Sequence, residues 1–207
     1  MKVPFLYAFC LLLVCITLLA GCSSSPSAPG TITPSSGQVP TAAGTPLPFD
    51  EVVQMFLTPA QLPFVAADIK NQTLDMRGPT FSKFGAIRGF TQFSSNEKTE
   101  SATSVTLGQM IVEYPPGNAT QAFLQFKNTN LNAPQSQYET TWLDDPKIGD
   151  QSCALQVVDR TGKTKTVVMV VFTKSNIMES VVMAAPSPDI DVLTRTARLA
   201  AAKIPSP

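Results

Sequence analysis

The sequence predicts an α+β domain: an antiparallel sheet of about five to six strands, with a short N-terminal helix, a middle helix and a long C-terminal helix packed on it. Two observations carry this. "CALQVVD", "KTVVMVVF" and "IMESVVMA" are strand-like runs, and the breaks between them, Arg160-Thr161-Gly162 and Lys174-Ser175-Asn176, are short enough for antiparallel hairpins. Apolar residues recur at helical spacing before, between and after the strand-like runs.

Taken in order, Phe49, Val52, Val53, Phe56 and Leu57 make a short opening helix that stops before Thr58-Pro59. "GAIRGFTQF", Gly85 to Phe93, reads as a strand with mixed faces. In "SVTLGQMIVEY", Val105 and Leu107 point one way, and Met110, Val112 and Tyr114 resume out of phase. A β-bulge at Gly108-Gln109 is the expected cause. Pro115-Pro116-Gly117 ends that strand and Asn118 is placed to cap a helix whose buried stripe is Ala119, Ala122, Phe123 and Phe126. Val167 to Phe172 is apolar throughout, as in a strand covered on both faces. Ser187-Pro188-Asp189 offers an N-cap, a first-turn proline and an acidic first turn. The closing helix follows, with Ile190, Leu193, Ala197, Ala200, Ala201 and Ile204 as its stripe and Arg195 and Arg198 off it. So few helices would leave part of the sheet open, bordered by Met169, Met178 and Met183; the alternative is that all three are ordinary core.

The domain begins late in the chain. Met1-Lys2 is a basic start, and Pro4 to Ala20 is uncharged and apolar apart from Tyr7 and Thr17, which reads as a secretory signal. Leu19-Ala20-Gly21-Cys22 then resembles the prokaryotic lipobox, in which the thiol is alkylated with a diacylglyceryl group and the chain is cut just before the cysteine. The resemblance implies a lipid anchor at Cys22 and a protein on the extracytoplasmic face of the cell membrane. An uncleaved N-terminal anchor and an ordinary cut are the alternatives, and both also leave the bulk of the chain outside the cytoplasm. Ser23 to Pro48 is uncharged and built almost entirely of Ser, Pro, Thr, Gly and Ala, the composition of a disordered stalk. Fully stretched it would reach about 80 Å, and as a coil about 30 Å. The organisation is therefore a signal over 1–21, a lipidated cysteine and stalk over 22–48, and one domain over 49–207.

Composition removes several functions. Cleavage before Cys22 takes away only Lys2 among the charged residues, leaving 14 basic against 15 acidic side chains, and no basic run offers a nucleic-acid surface. Cys10 and Cys15 leave with the signal and Cys22 is the lipid site, so Cys153 has no disulfide partner. Strand alternation places Cys153 with Leu155 and Val157 on one side, as a buried, inert thiol. The chain has no histidine, which removes Ser-His-Asp hydrolysis, a His-activated thiol and the usual zinc sites. No glycine-rich phosphate loop follows a strand, and no cofactor is expected. "WLDDPKIGD" gathers Asp144, Asp145 and Asp150; turn chemistry accounts for them, and a calcium site is the alternative, although the spacing is not that of an EF-hand. Asn71-Gln-Thr73 and Asn118-Ala-Thr120 are the acceptor sequons, both expected to be solvent-exposed and glycosylated where the host does so.

The succession of "YPPGNATQAF", "KIGDQS", two hairpin strands and an alanine-rich terminal helix resembles small prokaryotic lipoproteins and extracytoplasmic sensor domains. Its layout, over Leu107 to Ile204, is similar to the sensor domains of mycobacterial receptor kinases and to PsbP/Mog1-like sandwiches, although the disulfides of the kinase sensors have no counterpart. The stalk and sequons are similar to those of surface lipoproteins of methanogenic archaea. No catalytic residue carries over. The expected function is non-enzymatic: a membrane-anchored domain that binds or senses a protein partner, an envelope component or an apolar ligand. The alternative is a carboxylate-dependent hydrolase of envelope glycans, which two facing Asp or Glu residues in a cleft would mark.

Overall fold

A computed structural model describes residues 49–99, 101–131, 138–159 and 165–205. Helix α1 (Phe49–Gln54) and a 3-10 turn (Pro59–Gln61) lead into β1 (Asp68–Thr73), the single turn α2 (Pro79–Ser82), β2 (Arg88–Ser95) and β3 (Thr106–Glu113). Helix α3 (Asn118–Leu131) follows, then β4 (Tyr138–Leu143), β5 (Gln151–Asp159), β6 (Thr166–Lys174), β7 (Ile177–Ala185) and α4 (Ile190–Lys203). The strands form one antiparallel sheet ordered β1-β2-β3-β7-β6-β5-β4. The α+β class is the one expected, but the sheet has seven strands. The two additional strands, β1 and β4, are its edges.

Both faces of the sheet are covered. On the first, Leu107, Ile111, Val170, Phe172 and Val181 pack against Val52, Met55 and Phe56 of the N-terminal segment and Leu193, Ala197 and Ala200 of α4. On the second, Met110, Val112, Leu155, Met169 and Val171 meet Ala119, Ala122 and Phe123 of α3, and also Leu74, Met76, Phe81 and Phe84 from the β1–β2 connection. This explains the unbroken apolar run of β6, whose side chains enter the two cores alternately. It also decides between the two readings of the methionines: Met169, Met178 and Met183 are all buried, as ordinary core, and the open face bordered by them is not found. The cover comes from an irregular connection that has no helical periodicity to announce it.

Three local expectations are corrected. The strand β3 carries no bulge; its register with β2 and β7 runs without interruption from Thr106 to Glu113. The apparent slip arises because Gln109, a polar residue, occupies a core position between Leu107 and Ile111, while Gly108, Met110 and Val112 face the other core. Asn118 does not cap α3 through its side-chain oxygen. Its Nδ2 donates to the Phe84 carbonyl at 2.9 Å, tying the helix start to the β1–β2 connection. The cap of α4 is Asp189 rather than Ser187: Oδ1 accepts from the amides of Asp191 (2.8 Å) and Val192 (3.1 Å), so Pro188 precedes the helix. The β6–β7 hairpin closes with Ser175-Asn176, Ser175 taking φ 57°. The Arg160-Thr161-Gly162 break lies outside the described residues.

Candidate functional site

The first core contains a polar cluster. Strand periodicity sends Gln109 of β3 and Glu179 of β7 to the face covered by α1 and α4, and both are fully buried. The Gln109 amide is saturated: Oε1 accepts from the Leu57 amide at 2.9 Å, and Nε2 donates to the Met55 carbonyl at 3.1 Å and to Glu179 Oε1 at 2.6 Å. Gln109 thus replaces a strand's backbone as the partner of residues 55 and 57. Glu179 Oε2 is buried without a hydrogen-bond partner. Burial pushes the Glu179 carboxyl up to about 8, against the opposing pull of the Gln109 hydrogen bond and the Lys203 charge. Lys203, in the last turn of α4, donates through Nζ to the carbonyls of Gln54 (3.1 Å) and Phe56.

A second buried acid lies on the same face. Glu113 pairs with Ile177 in the β3–β7 register, which places it diagonally from Glu179. Arg88 Nε meets its Oε2 at 2.6 Å, and Asn176 Nδ2 donates to its Oε1 at 3.2 Å. Glu113 is therefore an ion-paired carboxylate and Glu179 a neutral acid at pH 7. Both are sealed beneath the surface instead of facing each other across a cleft.

The aspartates of "WLDDPKIGD" are engaged in the loop itself. Asp145 accepts from the Ser152 hydroxyl and, at 3.1 and 3.0 Å, from the Lys147 amide and Nζ. Burial raises its carboxyl, but these bonds outweigh that and hold it below the usual range. Asp150 accepts from the Ser175 amide at 2.7 Å, clamping the loop to the β6–β7 turn. Asp144 is exposed. No group of three potential ligands gathers among the described residues.

Cys153 lies in the second core with Leu155 and Val157, and burial pushes its thiol up to about 12, so it is an inert thiol as expected. The two sequons differ. Asn71 is exposed on the edge strand β1, whereas Asn118 is half-buried with its amide nitrogen committed to Phe84. Cys22 and its flanking segments lie outside the described residues. Among those described, no helix is long and apolar enough to cross a membrane. Sequence reasoning missed Gln109 and Glu179. The signals were the broken phase at Gln109 and a lone acid inside "IMESVVMA".

No protein-family model matches the chain, and no curated protein does. Among solved structures, the extracellular domain of PknH from Mycobacterium tuberculosis is similar with a TM-score of 0.49 at 11% identity, over 68% of this chain and 79% of that chain.

Proposed function

We propose that the chain is a lipoprotein held at the extracytoplasmic face of the cell membrane through Cys22, its stalk carrying a non-enzymatic binding or sensing domain. The observation that carries this reading is Leu19-Ala20-Gly21-Cys22 directly after an uncharged apolar run. The binding role draws support from the chemistry of the fold. Its buried acids, Glu113 and Glu179, are sealed from solvent, its thiol is buried and inert, and the chain has no histidine. A partner would be an envelope component, a protein or an apolar ligand met at the domain's exterior, because both sheet faces are filled. Replacing Cys22 with Ala is expected to abolish processing and move the protein out of the detergent phase. A variant processed and partitioned like the parent would sink the anchor.

Glycosylation is proposed for Asn71 alone. The nitrogen that would carry the sugar is free to solvent there, while the same atom of Asn118 holds the α3 start to Phe84. In a host that glycosylates, intact mass should fall by one glycan in Asn71→Gln and stay unchanged, beyond the residue difference, in Asn118→Gln. A native mass equal to the lipidated polypeptide contradicts the assignment.

A further inference from the structure

We infer that residues 49–57, the arm through which the stalk enters the domain, form a releasable clasp whose docking is coupled to the charge of Glu179. Among the described residues, the arm's polar contacts with the rest of the domain come from two side chains. Gln109 takes the amide of Leu57 and the carbonyl of Met55, and Lys203 takes the carbonyls of Gln54 and Phe56. Under them Val52, Met55, Phe56 and Leu57 seal the first core. Gln109 can hold the arm only while its amide keeps one orientation, and the Glu179 oxygen at 2.6 Å helps to fix it. The second Glu179 oxygen meets no donor, so a charge on this carboxylate would be only half-satisfied and cut off from water.

The groups around Glu179 define two states. From α4, Lys203 acts on it electrostatically while spending its hydrogen bonds on the arm. From β6, Lys174 is occupied by the carbonyls of Ala201 (3.0 Å) and Ile204 (2.6 Å). From β3, Glu113 is matched by Arg88. On the arm, Asp50 and Glu51 are exposed to solvent. With the arm docked, Glu179 stays neutral and Lys203 holds backbone carbonyls. With the arm lifted, water reaches Glu179, the carboxyl ionises, and Lys203 is free to pair with it. The two states differ by one proton, so the release equilibrium rises about tenfold per pH unit between the hydrated pKa near 4.5 and the docked value near 8, then levels off.

Hydrogen exchange of the full chain in detergent, corrected for the intrinsic rate at each pH, reads this directly. Protection of 49–57 should lie well below that of β6 and β7. It should fall about tenfold per pH unit from pH 5 to pH 8, and Glu179→Gln should flatten the profile. Arm protection equal to that of β6 and β7, or independent of pH in the parent protein, overturns the clasp. If the variant does not fold, the parent's pH series decides alone. The result is independent of whether Cys22 carries lipid, so the clasp and the anchor fail separately.

Discussion

Glu179→Gln is expected to stabilise the domain by about 3 kcal/mol at pH 7 and by less than about 1 kcal/mol at pH 5. The folded protein keeps the Glu179 proton up to about pH 8, whereas an unfolded glutamate releases it near 4.5. Within that window the unfolded chain binds fewer protons, so stability falls as pH rises from about 4.5 to about 8 and is flat beyond. A neutral amide has no proton to lose, and it keeps an oxygen for Gln109 to donate to. Urea unfolding at pH 5, 7 and 8.5 separates the cases: the parent's midpoint should fall with pH while the variant's holds. Parallel midpoints at all three would mean that Glu179 is hydrated in the folded protein.

Gly149→Ala is expected to cost about 3 kcal/mol or more and to lower Tm by about 6–12 °C. Gly149 has φ 63°, and a Cβ there would run into the Thr173 carbonyl oxygen. That oxygen already accepts from the Asp150 amide at 2.7 Å, so it cannot retreat without loosening the bond that seats the loop on β6. Gly117 is the internal control. It also has positive φ, 82°, but nothing lies within 4 Å of its would-be Cβ. Gly117→Ala should therefore cost only the backbone strain, about 1 kcal/mol. Equal thermal shifts for the two variants would remove the steric contribution at Gly149.

What the sequence disclosed follows from where each residue packs. Strands β5, β6 and β7 were legible because Val170 and Val181 fill the first core and Leu155 the second, and burial on one or both faces writes itself into the apolar pattern. The edges β1 and β4 were not. "DIKNQT" is exposed along nearly its whole length and "YETTWL" is only half-buried, so neither needed apolar alternation. Their pairing is set by β2 and β5, which lie elsewhere in the chain. The stripes of α3 and α4 were readable at Phe123 and Leu193, but their caps were not, because Asn118 answers to Phe84 and not to its own helix. The polar cluster was hardest. Gln109 is buried because a backbone segment 52 residues earlier needs a partner, and Glu179 because Gln109 does. A local window sees only two polar residues interrupting apolar strands.

Such a cluster is where departures from local consistency are expected in a domain that changes state, since its members stabilise one another and not the strands that bear them. It lies under the arm, 49–57, that follows the proposed stalk. On this account the domain's docked state and its membrane tether meet at the same nine residues, 49–57. The proposed lipid anchor at Cys22 is what would give that meeting a cellular meaning. The most direct measurement is the mass of the N-terminal fragment of the protein extracted from its native membrane. A fragment that begins at Cys22 and carries a diacylglyceryl group is the predicted result; one that begins elsewhere, or an unmodified Cys22, contradicts it.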